Sequence, residues 1–294
     1  MDGVWRSNRI RSLATLARKI VFVLAAMSVF ASLAFASEEQ ILNFSVRGKL
    51  VAELGMADLR QKLSVTQIVV WEPHEDKNVA YEGFEIGKLF TAVYGDQWQQ
   101  TDEVLFTCID GYQPVLPMDR FNQHVGYLVY RRLDQAEFKI QNRFQSESDV
   151  PLGPFYLVWN NLHSKELRAE GANGWPYQVV GIDLVNFADR FPKMSPPENA
   201  SERAKKGFIA FRENCMACHT VNGEGGNKAP ELNYPMSVTE YLSDAWFRRW
   251  LMDPRSVRYN ATMPAFASHP NPDALVEDVV AYLKTMAQNK RKPK

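Results

Sequence analysis

Apolar positions along this chain change their period twice. The first apolar stretch, Ile20–Phe35, is continuous and carries no charged residue. From residue 37 to 192 short apolar runs alternate with turn residues. Ile41–Val46, Thr66–Trp71, Val104–Cys108 and Phe155–Trp159 are short, contain β-branched or aromatic side chains, and are expected as strands. Gly55-Met56-Ala57-Asp58 introduces a short helix and Phe84–Val93 reads as a second. Gly111, Pro114, Pro117, Gly153 and Pro154 mark loops. Strands with few, short helices predict an α+β domain with a mixed sheet instead of a parallel doubly wound one.

Beyond residue 200 the period becomes helical. Met194-Ser195-Pro196-Pro197-Glu198-Asn199 has the chemistry of a linker, since two prolines favour extended backbone, and the boundary is placed over residues 193–200. Ala204, Phe208 and Phe211 then recur at helical spacing. Ser237-x-x-Glu240 is a capping-box pattern. Trp246 and Trp250 form an i, i+4 pair in a helix that ends near Pro254. Asn271-Pro272-Asp273 offers an N-cap, a proline at the first helical position and a first-turn acid. Behind it Leu275, Val276, Val279, Val280, Leu283 and Met286 make one apolar stripe. Residues 201–288 are therefore expected as a small all-helical domain, and Lys290-Arg291-Lys292-Pro293-Lys294 as part of a solvated basic tail over 289–294.

Composition narrows the function classes. The 294 residues carry 34 basic and 34 acidic side chains, so the formal charge is zero and a dedicated nucleic-acid binder is disfavoured. With 46% hydrophobic and 23% charged residues the balance is that of a globular protein. A single long apolar run excludes a multi-span membrane protein. That run follows Arg6, Arg9, Arg11, Arg18 and Lys19 and ends at Ala34-Phe35-Ala36 before Ser37, the pattern of a cleaved export signal over residues 1–36. Its 16 residues would make roughly 24 Å of helix, short of a ~30 Å hydrocarbon core. An uncleaved N-terminal anchor is the alternative. Cleavage removes five basic residues and Asp2, which leaves 29 basic against 33 acidic. The expectation is a mildly acidic periplasmic protein with no stable membrane span after cleavage.

The three cysteines carry the chemistry. Cys215-Met216-Ala217-Cys218-His219 is C-x-x-C-H. Two thiols at this spacing can each bond a vinyl-derived carbon of one haem, and the adjacent imidazole can reach the iron from the same side. A zinc site would need a further Cys or His pair, but the third cysteine, Cys108, lies 107 residues before Cys215. A thioredoxin-type redox pair belongs beside a βαβ pattern, whereas this pair sits among helices. For the second axial position Met263, in Ala261-Thr262-Met263-Pro264-Ala265-Phe266, lies outside every apolar stripe, and His269 competes with it.

These motifs resemble a class I cytochrome c over about 90 residues. Gly207 and Phe211 precede the haem motif, and Val279, Ala281, Tyr282 and Leu283 lie in the last helix. The resemblance implies that these two helices cross, with the glycine allowing close approach. Trp246, Trp250 and Pro254 correspond to the family's middle helix. It also implies thioether bonds at Cys215 and Cys218, His219 as proximal ligand, Met263 as distal ligand, and a Pro230 carbonyl that orients the imidazole. One covalent haem c and one-electron transfer follow as expectations.

Upstream, Tyr81–Phe90, Thr107–Tyr112 and Gly153–Trp159 resemble, in this order, the sulfite-oxidase-type molybdopterin-binding fold, over about 150 residues. The resemblance implies that Cys108 stands where the family presents a thiolate to molybdenum. Where the family continues with an Asn-Arg segment that helps hold the pterin, Asp110-Gly111-Tyr112-Gln113-Pro114 stands here, and the next arginine is Arg120. Two functions are thus expected. In one, an electron-transfer protein has an upstream domain that docks or senses a periplasmic redox partner. In the other, that domain oxidises a small substrate at a molybdenum or copper site on Cys108, with Asp110, His124 or His163 as neighbours and Arg131, Arg132 or Arg143 folded over it, and passes electrons to the haem. Cys108 is otherwise a buried, inert thiol. His163 follows the strand that ends at Trp159, and His74 is expected in a solvated acidic loop.

Overall fold

The computed structural model describes residues 40–293, so the export signal expected over residues 1–36 lies outside the described residues. Residues 40–293 belong to one compact unit with a sheet-bearing lobe followed by a helical lobe.

The sheet-bearing lobe starts with β1 (Leu42–Val46), β2 (Lys49–Leu54), α1 (Met56–Lys62), β3 (Thr66–Glu72), β4 (Lys77–Glu85) and α2 (Ile86–Tyr94). It continues with β5 (Glu103–Cys108), β6 (Val115–Pro117), α3 (Met118–Gln123), β7 (Gly126–Arg132), β8 (Lys139–Asn142), β9 (Glu147–Pro151), β10 (Tyr156–Trp159), α4 (Lys165–Ala169), β11 (Val179–Val185) and α5 (Phe187–Arg190). One sheet has the order β2-β1-β11-β5-β6. Its β1 and β11 are parallel and its other pairs antiparallel, so it is mixed as expected. A second, antiparallel sheet runs β10-β7-β4-β3. β8 and β9 form a separate hairpin.

Strand formation follows the apolar pattern. In β10 all four residues, Tyr156-Leu157-Val158-Trp159, are buried, which explains an apolar run without alternation. The expected helix at Phe84 starts two residues later. Phe84 and Glu85 still pair with Leu128 and Tyr127 of β7, so sheet pairing overrides the helical pattern at that end. Leu42, Phe44, Phe84, Phe106, Leu128, Phe155 and Trp159 are all 0% exposed and join one apolar core.

The helical lobe contains α6 (Glu202–Asn214), a short β12–β13 hairpin (Thr220–Val221 and Glu224–Gly225), α7 (Val238–Tyr241), α8 (Asp244–Met252) and α9 (Pro272–Ala287). Ser201 caps α6 by accepting from the Ala204 N–H at 3.2 Å. The Ser237–Glu240 box closes as expected, with the Ser237 N–H donating to Glu240 at 2.6 Å. Asn271 makes no side-chain cap, contrary to expectation; Pro272 at the first position and Asp273 in the first turn start α9 without it. α6 and α9 cross at Gly207, where a methyl group would lie 1.8 Å from the Asp278 carbonyl oxygen. The tail is exposed at Arg291 and Lys292, as expected, but it is tethered to the segment before α6. Arg291 donates to the Pro192 carbonyl, and the Lys193 ammonium donates to that of Lys292.

The apolar cluster of the helical lobe does not stop at residues 193–200. It takes in Leu105 of β5, Val185 of β11, Phe191 and Met194. Arg212 of α6 pairs with Glu103 and lies 3.6 Å over the Phe187 ring. The two lobes share side-chain packing as well as a chain connection.

Candidate haem site

The C-x-x-C-H segment follows directly from the end of α6, and Cys215 is that helix's C-cap. Its backbone folds into a tight turn whose first four carbonyls are all engaged. The Cys215 oxygen accepts from Cys218 and His219, that of Met216 from Gly226, that of Ala217 from Gln113, and that of Cys218 from Ala229. The distances run from 2.7 to 3.1 Å. Gly226 is required here, because a Cβ would sit 1.9 Å from the Ala217 oxygen. Gly225 has φ +116°, and a Cβ there would sit 2.4 Å from the His219 carbonyl oxygen.

His219 Nδ1 lies 2.8 Å from the Pro230 carbonyl oxygen. A carbonyl only accepts, so Nδ1 carries the proton and donates, which leaves Nε2 with its lone pair free to bind a metal. Burial lowers the imidazole's pKa, opposed by the Pro230 carbonyl and Glu231. The neutral, ligating form is therefore favoured. Cys215 and Cys218 are not joined in a disulfide, and burial pushes the Cys215 thiol up to about 12.

Met263 lies in the loop between α8 and α9, half-buried against the helical core. Its Sδ accepts the Trp250 indole N–H at 3.1 Å. His269 is exposed, and its Nδ1 accepts from the Asn271 N–H at 3.2 Å. Two uncommitted thiols on one turn, an oriented imidazole with a free Nε2, and a thioether held inside the helical lobe are the donor set that haem c requires.

Cys108 ends β5 and is 3% exposed. Burial raises its pKa far above the ordinary thiol range; the Asp110 charge adds to this and Lys228 opposes it. Its loop closes on itself, with Cys108 N–H donating to Tyr112 and Gly111 N–H to Cys108. It then docks on the haem turn through Gln113 to Ala217 and Asn227 to Gly111. Of the sequence-expected neighbours only Asp110 is near. Asp110 pairs with Lys228 at 2.7 Å, while His163 is exposed and His124 ends α3. The arginines expected over Cys108 are committed elsewhere. Arg131 pairs with Glu82, Arg132 with Glu75 and Asp134, Arg143 with Asp76, and Arg120 with Glu170. Among the described residues no group of three or more His, Cys, Asp and Glu side chains is placed to hold a metal ion. A thiol buried under the haem turn, with no arginine beside it, does not fit a phosphate-bearing pterin.

His74 corrects its sequence reading. It is 5% exposed, with Nδ1 2.7 Å from Glu72, whose buried carboxylate also accepts from the Tyr81 and Tyr156 hydroxyls. The acidic stretch around it turns inward because these three donors satisfy Glu72. His74 borders an open cavity of about 400 Å³ with Asn142, Arg143 and Ser146.

Sequence reasoning placed Trp250 in a helix and Gln113 in the segment after Cys108 but missed their contacts with Met263 and Ala217, and it missed Gly225 and Gly226. Only the paired glycines between His219 and Pro230 gave a local signal.

The cytochrome c family model matches residues 204–287, from α6 to the end of α9, including the C-x-x-C-H turn and Met263. Those residues are a cytochrome c domain, which carries covalent haem and serves electron transfer. Among curated proteins none matches this chain. Among the described residues no helix is long and apolar enough to cross a membrane.

Proposed function

We propose that the chain is an exported mono-haem cytochrome that passes single electrons between periplasmic proteins. Residues 37–192 form a docking or sensing domain, joined through residues 193–200 to the cytochrome c domain at 201–288. The observation that carries this reading is the His219–Pro230 contact inside the C-x-x-C-H turn, because it fixes the tautomer a proximal ligand needs. Cys215 and Cys218 would hold the porphyrin, His219 Nε2 would bind the iron, and Met263 would supply the second iron ligand. The bound haem supplies a one-electron iron centre. The chain's own residues orient the imidazole, hold the thioether sulfur through Trp250, and shield the attachment turn with the Cys108–Gln113 loop.

For the upstream domain the proposal is a sulfite-oxidase-like fold without its molybdopterin. The buried Cys108 and the diverted arginines support this. The export signal is cleaved after Ala36, and the partner is a protein, not a nucleic acid. Mature protein, produced with haem-attachment machinery, should hold one iron and no molybdenum per chain and titrate as a one-electron couple. Stoichiometric molybdenum, lost in Cys108→Ser, would overturn the cofactor-free reading.

A further inference from the structure

We infer that Arg255 is a positioning residue through which the sheet-bearing lobe holds the Met263 loop in place. This rests on Met263 being the distal ligand. Arg255 lies in the short 3-10 turn Pro254–Ser256 that follows α8, and its own N–H donates to the Asp253 carboxylate at 3.1 Å. From there the guanidinium reaches in two directions. Its Nε donates to the Ala261 carbonyl at 3.2 Å, two residues before Met263. Its Nη1 donates to Ser146 Oγ at 2.8 Å and its Nη2 to the Gln145 carbonyl at 2.7 Å, both on the turn between β8 and β9. The same turn reaches back, with Gln145 Nε2 donating to the Thr262 carbonyl at 3.3 Å. Of the two residues directly before Met263, Thr262 is thus held by this upstream turn and Ala261 by Arg255, which the turn engages.

The turn is itself rigid enough to serve as an anchor. Asn142, 4% exposed, accepts from the Phe144 and Gln145 N–H groups and donates to the Gln145 side chain at 2.8 Å. The Arg143 N–H donates to the His74 carbonyl, which ties the turn to the buried Glu72 cluster.

Among the described residues no carboxylate pairs with Arg255. Its planar fork is spent on two carbonyls and a hydroxyl, a use in which geometry matters more than charge and which a lysine cannot reproduce. A Met–iron bond closes the iron to other ligands only while its loop stays in place. Loosening the loop exposes the iron without touching either ligand. The upstream lobe is by this reading a part of the haem site.

The test uses full-length holoprotein and variants Arg255→Ala, Arg255→Lys, Ser146→Ala and Met263→Ala. Circular dichroism and thermal melts check that each is folded. The readouts are carbon monoxide affinity of the reduced form and the ferric absorption band that reports thioether coordination. Losing hydrogen bonds of this exposed kind should raise carbon monoxide affinity about two- to tenfold in Arg255→Ala. Arg255→Lys should restore it only in part, and Ser146→Ala should shift it less but in the same direction. The band should weaken in parallel. If Arg255→Ala matches wild type in both readouts while Met263→Ala loses the band and opens the iron, the positioning role is wrong and the ligand assignment stands. If Met263→Ala changes neither readout, the ligand assignment fails and the positioning role with it.

Discussion

The Gln113 N–H donates to the Ala217 carbonyl at 2.7 Å, so the loop after β5 is hydrogen-bonded directly to the haem-attachment turn. Gly226 lies on the same carbonyl, where a Cβ would come within 1.9 Å of the oxygen and 3.1 Å of the Gly111 carbonyl. Gly226→Ala must therefore push the turn off one of its two supports. The expected result is a loss of about 1–3 kcal/mol in stability and a lower yield of haem-loaded protein, read by denaturant melts and by haem stain per chain.

Gly207→Ala makes the same kind of collision at the crossing of α6 and α9, with the added carbon 1.8 Å from the Asp278 oxygen and 2.9 Å from Tyr282 Cβ. Both obstacles belong to a packed helix, so neither can swing aside. Chemical denaturation should show a loss of more than about 2 kcal/mol, against the small gain that alanine brings to an isolated helix. A neutral or stabilised variant would mean that the helices do not approach this closely.

At the distal position, Met263→Ala should lower the potential and let carbon monoxide bind the reduced form, while His269→Ala should do neither. Trp250→Phe tests the finer contact. The indole N–H on Sδ withdraws electron density from the sulfur, which favours reduced iron, so its removal should lower the potential with the Met–iron bond intact. Redox titration with absorption spectra separates these outcomes. The opposite pattern, with His269→Ala altering spectrum and potential, would reassign the ligand.

Much of the candidate haem site was legible in the sequence because its parts are local. Cys215, Cys218 and His219 are contiguous, Pro230 is eleven residues from His219 and Met263 sits in an unpatterned loop. The strands Thr66–Glu72 and Tyr156–Trp159 were legible as apolar runs. What stayed hidden depends on contacts across long stretches of chain. Gln113 meets Ala217, and Arg255 meets Ser146, only after folding, and neither has a local pattern. His74 read as solvated because its neighbours are acidic. Its burial depends on Tyr156, 82 residues away in sequence.

Glu75 makes the fold pH-sensitive. Burial raises its pKa, but hydrogen bonds from Arg132, Lys77 and the Gln141 N–H outweigh that and bring it from 4.5 down to about 2. A depressed carboxylate stabilises the fold above its unfolded pKa, and that contribution is lost as pH falls through the folded value. Glu75→Gln should thus cost on the order of 2–3 kcal/mol at pH 7, and the difference from wild type should shrink between about pH 4.5 and pH 2. Urea melts at a series of pH values read this directly. A gap that is constant down to the acid end would show that the pair adds no such linkage.

Cys108→Ser probes the upstream domain. With no metal to hold, the change should leave the haem spectrum and potential as they are and cost about 1–3 kcal/mol for a hydroxyl in a buried thiol's place. The native thiol should also resist alkylation until the protein unfolds, since it is 3% exposed.

The central claim is one covalent haem, held at Cys215 and Cys218, as the chain's redox centre. Denaturing mass spectrometry of the mature holoprotein, paired with metal analysis of the same sample, tests it most directly. The account predicts a mass raised by one haem, retained after acid-acetone extraction and mapped to the Cys215–His219 peptide, with iron at one per chain and no molybdenum. A chain that runs at its bare polypeptide mass after extraction, or that carries molybdenum in proportion to iron, would contradict it.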